Sequence, residues 1–448
     1  MNTKSGLVDL EKNISFVVAS SLCTGCGTCA GVCPGNAIRM DINSNLGIYL
    51  PRVSERECTH CGVCVKCCPG HAVDMQKLNS ILFGKQPKDV LLGNFLNSYV
   101  GHSNDAVVRS VSSSGGAVTQ LLVFALEKGI IDGALVSRMK KSNPLEPEPF
   151  IAKTRDEIIS AATSKYCPVP SNLSLRKIIE TKGKFAVVGL PCHMHGVRLA
   201  ESIFNDLKEK IVIHIGLFCS HTVNFHGTEL LLHKYGINAT EVNMIQYRGN
   251  GWPGAMSLQL KNGHSIRKRF IRGWNAYWNI FSCFFFTPTR CLMCPDQSNE
   301  FSDISVGDAW LPEFRNSSLG EAVILTRSRE SEILLHQIRL SDSMALRSIS
   351  PNKVRESQAF TLDFKKRKIA DRFSLLKLFG MSLPAINPLS SAEHSFSYSA
   401  FLPYLSTRIS SNKCLKRIMR FVPLPIFRLY FGLIKYSSLF STRRVKGV

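Results

Sequence analysis

The middle of the chain alternates between short apolar runs and helical stripes. Three apolar runs are typical of buried strands, namely IIDGALV (130–136), KFAVVGL (184–190) and IVIHIGLF (211–218). Before the first run, apolar residues recur at helical spacing and Gly129 stands where a helix C-cap is expected; this stripe comprises Ala117, Val118, Leu121, Leu122 and Ala125. Strands that alternate with helices predict an α/β domain with a largely parallel sheet over residues 101–345.

The strongest chemical signal is a cysteine pattern that occurs twice near the N-terminus. The first copy is Cys23, Cys26, Cys29 and Cys33, the second is Cys58, Cys61, Cys64 and Cys68, and Pro-Gly follows each copy. This is the C-x2-C-x2-C-x3-C-P spacing of a bacterial ferredoxin with two clusters. It predicts an α+β, ferredoxin-like N-terminal module that holds two [4Fe-4S] clusters and moves single electrons.

The same spacing predicts how the two clusters share their ligands. Three thiolates separated by two residues each surround one cluster, and the fourth thiolate of the run points to the other cluster. We therefore expect one cluster at Cys23, Cys26, Cys29 and Cys68, and the other at Cys33, Cys58, Cys61 and Cys64. A zinc site made of CxxC pairs and a disulfide scaffold are the alternatives. Cys67 is left over, and we expect it to be a packed thiol.

The composition of the chain changes on both sides of the central region. We interpret residues 1–80 as the ferredoxin-type domain and residues 81–100 as a linker. Residues 346–448 form a helical, basic C-terminal extension with charged helices, a Ser- and Pro-rich stretch at 383–405 and a basic tail. A chain of 448 residues has room for two or three such domains.

Four further cysteines stand at suggestive places in the central region. Cys192 follows the second apolar run, Cys219 follows the third, and Cys291 and Cys294 form a CxxC. Because open α/β sheets present functional groups at the carboxyl ends of their strands, these thiols are candidates for another [4Fe-4S] cluster. A zinc site with the same four thiolates, or two buried thiols and an unrelated CxxC, would explain the pattern as well.

Two polar loops of the same region are candidates for ligand binding. Ser112-Ser113-Ser114-Gly115-Gly116 opens a helix, where free N–H groups suit a phosphate, with Arg109 and Lys165 as candidate partners. An ordinary helix N-cap and two surface charges would explain these residues equally well. The loop RGNGWPG (248–254) has an arginine and a tryptophan that suit a flat ligand, or it is a turn with a packed tryptophan.

Charge is unevenly distributed along the chain. The formal net charge is +22, and the residues after Glu393 carry ten Lys or Arg and no Asp or Glu. In this tail, cations alternate with bulky apolar residues, which favours a helix lying on an anionic membrane surface. Docking on an acidic protein and packing in the core are the alternatives, and we expect no nucleic acid because no binding motif accompanies the charge.

The compartment follows from the N-terminus and the cysteines. The segment MNTKSGLVDLEKN is polar and lacks the apolar core of a signal peptide. Cluster thiolates also require a reducing environment. We therefore expect a cytoplasmic protein, with the tail placing it on the inner membrane surface.

From about residue 100 to 345 the chain resembles the coenzyme F420 hydrogenase/dehydrogenase beta-subunit family. Six blocks carry the resemblance in order: SSSGGAVTQLL, TSKYCPVPSNL, GLPCHMHGVRLA, IGLFC, YRGNGWPG and RCLMCPDQSNEFSDISVGDAW. The N-terminal module is similar to that of family members with a fused ferredoxin of their own. The tail is similar to bacterial members encoded near capsule and exopolysaccharide genes, which associates the chain with polysaccharide biosynthesis.

The resemblance implies FAD and a third [4Fe-4S] cluster in the α/β domain. It implies that Cys192, Cys219, Cys291 and Cys294 hold this inner cluster. The FAD contacts that it implies are Ser113, Ser114, Gly115, Gly116, Thr119, Ser164, Lys165 and Tyr166. It also places Arg248 and Trp252 near the flavin or its partner.

Together these expectations describe an iron-sulfur flavoprotein oxidoreductase. It would pass electrons between a two-electron organic partner, a deazaflavin coenzyme or a similar compound, and [4Fe-4S] clusters by way of FAD. Its partner would be a redox protein or a small-molecule electron donor or acceptor. The alternative is an electron-transfer subunit without a substrate of its own, which serves a membrane or polysaccharide-biosynthesis partner. No residue stands out as a catalytic acid or base.

Overall fold

The computed structural model describes residues 13–270, 275–386 and 398–444. Most of the polar N-terminal segment, on which the signal-peptide prediction rests, lies outside these ranges. Part of the Ser- and Pro-rich stretch and the last four residues of the basic tail lie outside them too.

Short helices around a hairpin form the N-terminal module. Helix α1 (Ser15–Ala19) precedes the first cysteine loop, and each cysteine loop contains a short helix, α2 (Thr28–Gly31) or α3 (Val63–Lys66). The hairpin of β1 (Ile38–Asn43) and β2 (Ile48–Val53) lies between them, and β3 (Ala72–Val73) and α4 (Met75–Phe83) follow. Gly27 and Gly62 precede α2 and α3 with φ values of 83° and 72°, in the left-handed region that favours glycine.

An eight-stranded sheet forms the centre of the molecule. Its strands are β4 (Asn97–Ser103), β5 (Gly133–Met139), β6 (Pro147–Ala152), β7 (Phe185–Gly189), β8 (Ile211–Leu217), β12 (Ile304–Asp308), β13 (Ala322–Thr326) and β14 (Met344–Ser348). The spatial order is β14-β4-β13-β12-β8-β7-β5-β6. The three apolar runs found in the sequence form β5, β7 and β8, which are neighbours in the sheet.

The sheet is mixed, so the prediction of a largely parallel sheet was wrong in this respect. Strands β5, β7, β8 and β12 form a parallel centre, but β6, β13, β4 and β14 join the sheet through antiparallel pairings. Strand β6 follows β5, and β13 follows β12, through connections without a helix long enough to return the chain. Such connections join antiparallel neighbours, whereas parallel neighbours need a crossover.

Helices cover both faces of this sheet. They are α5 (Ala106–Val111), α6 (Ala117–Glu127), α7 (Arg155–Ser160), α8 (Leu175–Glu180), α9 (Pro191–Glu201), α10 (Asn205–Lys210) and α14 (Arg329–Leu340). Alternate residues of β5 belong to different cores, because Ala134 and Val136 pack with α6 and α14 whereas Leu135 packs with α8 and α9. This is the two-sided burial that the continuous apolar runs indicate.

A second group of strands and helices is formed by the part of the chain between β8 and β12. It consists of the antiparallel strands β9 (Val242–Gly249), β10 (Ala255–Leu260) and β11 (Ser265–Arg269), with helices α11 (Phe225–Lys234), α12 (Ala276–Ser282) and α13 (Thr289–Leu292). Its core is rich in aromatic residues, including Tyr247, Tyr277 and Phe284. This core also receives apolar residues of the C-terminal extension, such as Phe427 and Ile434.

The C-terminal extension is helical and packs back on the rest of the chain. It contains α15 (Pro351–Ser357), α16 (Ala359–Leu362), a π-helical turn at Asp363–Arg367, α17 (Ile369–Leu378), α18 (Tyr398–Ser411), α19 (Lys413–Met419) and α20 (Leu424–Arg444). Strand β15 (Ala385–Ile386) pairs with β3 of the N-terminal module. Within the described ranges, no helix is both long and apolar enough to cross a membrane.

Candidate metal centres and cofactor pocket

The first group of thiols consists of Cys23, Cys26, Cys29 and Cys68. Burial raises the pKa of the Cys23 thiol, and the neighbouring Cys68 and Cys26 raise it further. Burial also raises the pKa of Cys29, and Cys26, Cys23 and Cys68 add to the effect. Because such charge effects fall off with distance, these four sulfur atoms lie close together. The structure thus brings the fourth cysteine of the second loop to the first loop, as the ferredoxin spacing predicts.

The second group consists of Cys33, Cys58, Cys61 and Cys64. Burial raises the pKa of the Cys64 thiol to about 11, and Cys33, Cys61 and Cys58 also raise it. All four line a shallow pocket at the surface, together with Pro34 and Gly35 of the Cys-Pro-Gly turn. Cys61 is exposed, so this group is the one nearest to solvent.

Each of the three groups offers four thiols, which is the donor set of a [4Fe-4S] cluster, in which each thiolate binds a different iron. A zinc site uses the same donors around one centre. The repeated ferredoxin spacing of the two N-terminal groups favours iron-sulfur clusters over zinc. Cys67 is fully buried in a hydrophobic core, in keeping with the expected packed thiol.

The third group lies inside the central domain. Cys192 begins α9 after β7, Cys219 follows β8, and Cys291 and Cys294 lie in and after α13. Burial raises the pKa of Cys192, and so do Cys26, Cys219, Cys291 and Cys294. The structure thus brings together four thiols that come from three separate parts of the sequence. Their grouping at the carboxyl ends of two adjacent parallel strands agrees with the expected place of a site.

Cys26 belongs to the first group and also lies beside Cys192 of the third. A buried contact holds the N-terminal module in this position: the Asn172 backbone N–H donates to the carbonyl of Cys26 at 3.0 Å. The Asn172 side-chain amide donates to the hydroxyl of Thr28 and the carbonyl of His193, both at 2.8 Å. Sequence reasoning quoted Asn172 only within a block of the resemblance, and nothing in its neighbours indicates this role.

Polar and aromatic side chains surround Arg248, at the end of β9, and we call this group of residues the Arg248 pocket. The Arg248 side chain is 2% exposed, and its guanidinium donates to the Asp308 carboxylate at 2.5 Å and to the Pro253 carbonyl at 2.9 Å. It lies 5.1 Å from the ring of Trp252 and 5.5 Å from that of Trp310. Burial lowers the pKa of Arg248, but the Asp308 carboxylate outweighs burial and the pKa is raised. Sequence reasoning found Arg248 and Trp252 but not Trp310 as a partner.

The small-residue loop before α6 is next to this pocket, but its side chains are bonded within the protein. The Ser113 hydroxyl donates to the Arg248 carbonyl at 3.1 Å, and the Ser114 hydroxyl donates to the Glu321 carbonyl at 2.8 Å. A Cβ on Gly115 would lie 3.2 Å from the Gly320 carbonyl oxygen, so the glycine serves the packing of two loops. Gly116, with φ of 76°, is the N-cap of α6, and Thr119 is buried in its first turn.

Ser164, Lys165 and Tyr166 border the same pocket. The Ser164 backbone N–H donates to the Ser113 hydroxyl at 3.2 Å, and the Tyr166 hydroxyl lies 3.3 Å from Arg248 Nη1. The Lys165 ammonium is bonded to the carbonyls of residues 161, 162 and 163, at 2.5, 2.8 and 3.0 Å. Burial lowers the pKa of Lys165 to about 7. Lys165 therefore fixes a local turn, and its role as a phosphate partner stays a prediction.

Two arginine nitrogen atoms without hydrogen-bond partners make the pocket suitable for a flat anionic cofactor. Arg109 Nη1 and Arg248 Nη2 are buried without a hydrogen-bond partner among the described residues. Arg109 Nη2 lies 3.4 Å from the carbonyl of Gly320, and the Trp252 ring packs directly against that same glycine. Buried donors of this kind are normally paired, so they indicate a polar ligand. The residues present fit FAD, with aromatic faces for its ring and arginines for its negative charge.

A row of aromatic rings connects this pocket with the third thiol group. Tyr166, which contacts Arg248, lies 5.2 Å from Phe281 between ring centroids, and Phe281 stacks on His221 at 4.1 Å. His221 follows Cys219 by two residues. Three rings in series, Tyr166, Phe281 and His221, therefore lie between the pocket and the third group.

Family comparisons match most of this chain. The family described as coenzyme F420 hydrogenase/dehydrogenase, beta subunit, matches in two parts, its N-terminal part at residues 98–176 and its C-terminal part at residues 182–352. Residues 22–77 match the 4Fe-4S dicluster domain. The last match confirms the prediction of two [4Fe-4S] clusters in the N-terminal module, whereas the third cluster and FAD stay predictions.

Curated relatives include components of redox enzymes. The beta subunit of coenzyme F420 hydrogenase from Methanothermobacter thermautotrophicus is 28% identical over 55% of this chain and 83% of the relative. One subunit of the F(420)H(2) dehydrogenase of Methanosarcina mazei is 27% identical over 72% of this chain and 88% of the relative. A coenzyme F420-dependent sulfite reductase of Methanocaldococcus jannaschii is 24% identical over 80% of this chain, which spans 52% of that protein.

A solved structure has a similar fold. A chain of the F420-reducing [NiFe] hydrogenase complex from Methanosarcina barkeri, determined after xenon derivatization, superimposes with a TM-score of 0.52 and 22% identity. The alignment covers 67% of this chain and 99% of that one. At this identity the likeness concerns the fold, which is a mixed α/β architecture.

Proposed function

Because this chain belongs to the coenzyme F420 hydrogenase/dehydrogenase beta-subunit family, we propose that it is an iron-sulfur flavoprotein oxidoreductase. The relatives are subunits of F420-dependent oxidoreductases, which supports a role in electron transfer. In the proposed function, FAD and three [4Fe-4S] clusters connect a two-electron organic partner with a one-electron redox partner. FAD supplies the change from two-electron to one-electron chemistry.

One observation carries this proposal: the three thiol groups and the Arg248 pocket lie in a continuous series. Cys61 of the second group is exposed at one end, and Trp252 borders the pocket at the other. Between them, Cys26 of the first group lies beside Cys192 of the third. A series of this kind suits stepwise electron transfer, because each centre lies next to the following one.

We assign the ligands of the clusters accordingly. One N-terminal cluster takes Cys23, Cys26, Cys29 and Cys68, and the other takes Cys33, Cys58, Cys61 and Cys64. The third cluster takes Cys192, Cys219, Cys291 and Cys294. The division into an N-terminal ferredoxin-type domain (1–80), a linker (81–100), a central FAD-binding domain (101–345) and a C-terminal extension (346–448) is part of the same proposal.

In the proposed flavin site, residues of the protein bind and orient the cofactor. The two unpaired arginine donors of Arg109 and Arg248 bind negative charge, and Trp252 and Trp310 each provide an aromatic face. Ser113, Ser114 and Ser164 hold these elements together, and Gly115, Gly116, Thr119, Lys165 and Tyr166 complete the surroundings. Since the names of the relatives contain coenzyme F420, we propose a deazaflavin or a similar compound as the two-electron partner.

The proposal is tested on full-length protein that is purified anaerobically and reconstituted with iron, sulfide and FAD. Three cubanes predict about twelve iron atoms per chain. The variant Cys192→Ala should lose about four of them. Cys414→Ala is the matched control, because Cys414 is an exposed thiol outside all three groups, and it should keep the full content. Reduced deazaflavin, NAD(P)H and ferredoxin are then compared as flavin reductants.

Two results would contradict this assignment. Wild-type protein with about eight iron atoms and no FAD would leave only the N-terminal clusters. Equal iron contents in Cys192→Ala and Cys414→Ala would remove Cys192 from the ligand set. Reduction of bound FAD by none of the three reductants would favour a subunit without a substrate of its own.

The second candidate function is such an electron-transfer subunit, held at an anionic membrane by the C-terminal helices. Buried Phe427 and Ile434 hold α20 against the core. The opposite face of α20 exposes apolar residues at helical spacing, each more than half exposed: Ile426, Leu429, Leu433 and Tyr436. Arg428 and Lys435 are exposed on the same helix. An exposed apolar face among cations suits a surface of acidic lipids, on the cytoplasmic side of the membrane.

Vesicle flotation tests the membrane proposal. We expect the full chain to float with phosphatidylserine-containing vesicles, and the double variant Leu429→Glu, Leu433→Glu to bind at least tenfold less. Leu340→Glu is the control, because Leu340 is equally apolar and 75% exposed on α14. Equal binding of the double variant and the control would refute a role for this face. If the wild type does not float, binding of the extension to a protein partner is the remaining hypothesis.

A further inference from the structure

The C-terminal extension places two buried cations beside the third thiol group. Lys365 lies in the π-helical turn Asp363–Arg367, is 1% exposed, and its ammonium donates to the backbone carbonyl of Cys291 at 3.3 Å. Arg372 on α17 is also 1% exposed, and its Nε donates to the carbonyl of Leu292 at 2.7 Å. Both side chains therefore reach the CxxC loop from a segment that lies outside the family match, which ends at residue 352.

Lys365 differs from the lysines next to it. Lys366 forms an ion pair with Glu300, and Lys368 forms one with Asp363 at 2.5 Å. Among the described residues, Lys365 forms no ion pair with a carboxylate, and its hydrogen bond goes to the Cys291 carbonyl. An unpaired ammonium in the protein interior costs several kcal/mol, so a buried lysine is normally found next to negative charge.

The third thiol group faces Lys365, whose ammonium bonds to the backbone carbonyl of its member Cys291. Burial raises the pKa of Cys219 to about 12, and Lys365 is the strongest influence that acts in the opposite direction. Burial likewise raises the pKa of Cys291, and Lys365 opposes it. Burial lowers the pKa of the Arg372 guanidinium and the nearby Cys294 opposes this, and Nη2 of Arg372 is buried without a hydrogen-bond partner in the described part of the chain.

We infer that Lys365, with Arg372 beside it, is a fixed positive charge that raises the reduction potential of the inner cluster, so that the C-terminal extension tunes the central redox centre. This inference rests on the proposed third cluster at Cys192, Cys219, Cys291 and Cys294. A cluster with four thiolates is negatively charged, and the electron that it accepts adds a further negative charge. A nearby cation therefore stabilises the reduced cluster more than the oxidised one.

The test is a redox titration of the reconstituted full-length chain, followed by EPR. Lys365→Met keeps the length of the side chain and removes its charge. It should make reduction of one cluster at least tenfold less favourable, which is a fall of about 59 mV in its midpoint potential, and leave the other clusters unchanged. Lys365→Arg, which retains the charge, should stay close to the wild type. Lys377→Met, an exposed lysine of the same extension, is the matched control and should change no midpoint.

The outcomes separate this inference from the proposed function. Wild-type protein with iron for only two clusters would overturn both. Three clusters in the wild type, with no midpoint lowered in Lys365→Met, would overturn the inference alone. If Lys365→Met does not assemble the inner cluster, the midpoint potential is measured instead in Lys365→Gln and Arg372→Met. Each of them must lower the midpoint of the same cluster, and an unchanged midpoint in both refutes the tuning role.

Discussion

Replacing Asn172 by alanine tests how the N-terminal module is held against the α/β body. The Asn172 side-chain amide donates two buried hydrogen bonds of 2.8 Å, to the Thr28 hydroxyl in the module and to the His193 carbonyl in the body. The fit at this contact is tight, because a Cβ on Gly31 would lie 2.1 Å from the Asn172 carbonyl oxygen.

The magnitude follows from the bonds that are lost. Each hydrogen bond contributes about 1 kcal/mol net, and a buried partner left unsatisfied costs about 1–3 kcal/mol. The Asn172→Ala variant should therefore lower the free energy of unfolding by about 3 kcal/mol. Because the backbone of Asn172 also contacts Cys26, which lies beside Cys192, a looser contact should slow electron exchange between the module and the body.

Urea denaturation followed by cluster absorbance measures the stability, and stopped-flow reduction of the N-terminal clusters measures the exchange. The control is Asn143→Ala, since the Asn143 side chain makes an exposed hydrogen bond to Glu146 at 2.9 Å. A surface change of this type should alter stability by less than about 0.5 kcal/mol. Equal urea midpoints for the two variants would show that the Asn172 contact does not hold the module.

Three further predictions concern the pocket, the sheet and the clusters. Gly320→Val should reduce FAD affinity at least tenfold, because a Cβ on Gly320 would lie 2.8 Å from the Trp252 ring; fluorescence titration with FAD measures this. Burial lowers the pKa of His214, but Glu201 and Asp303 face its two ring nitrogens at 2.6 and 2.8 Å and the pKa is raised. These contacts stabilise the fold fully below the ordinary histidine pKa of about 6.5, and the stabilisation is lost as the pH rises through the raised pKa of His214. Urea midpoints of the wild type should therefore fall above about pH 6.5, whereas those of His214→Gln should depend less on pH. Iron removal with a chelator should expose residues 13–80 to proteolysis before the α/β body, because metal binding is coupled to folding.

The N-terminal clusters were predictable because their ligands are local in sequence. Three of the four thiols in each group come from one loop, and the repeat indicates which distant cysteine completes each group. The structure brings together the same two sets of four. The three apolar runs were equally informative, since strands that are buried on both faces leave an uninterrupted signal.

The edge strands and the pocket were less accessible to sequence reasoning. Strand β4, NSYVGHS, is half polar, so its pattern does not distinguish it from a loop. Ser113 and Ser114 were expected at a phosphate, but their hydroxyls bond to backbone carbonyls of β9 and of the segment before β13. These partners lie far away in sequence, and composition gives no sign of which distant loop a serine will meet.

The C-terminal extension shows most clearly what local patterns leave out. The segment DFKKRK has the pattern of a charged, exposed helix, and yet Lys365, Lys366 and Lys368 are all buried. Lys366 is paired with Glu300 and Lys365 bonds to the Cys291 carbonyl, both far away in sequence, whereas Lys368 is paired with Asp363 of the same segment. The local pattern of charges therefore does not distinguish an exposed helix from a buried one whose charges are compensated. The exposure of the thiol groups also depends on the tertiary structure. Since Cys61 is exposed and Cys192 is only partly exposed, a protein partner would exchange electrons at the N-terminal end and an organic partner at the Trp252 pocket.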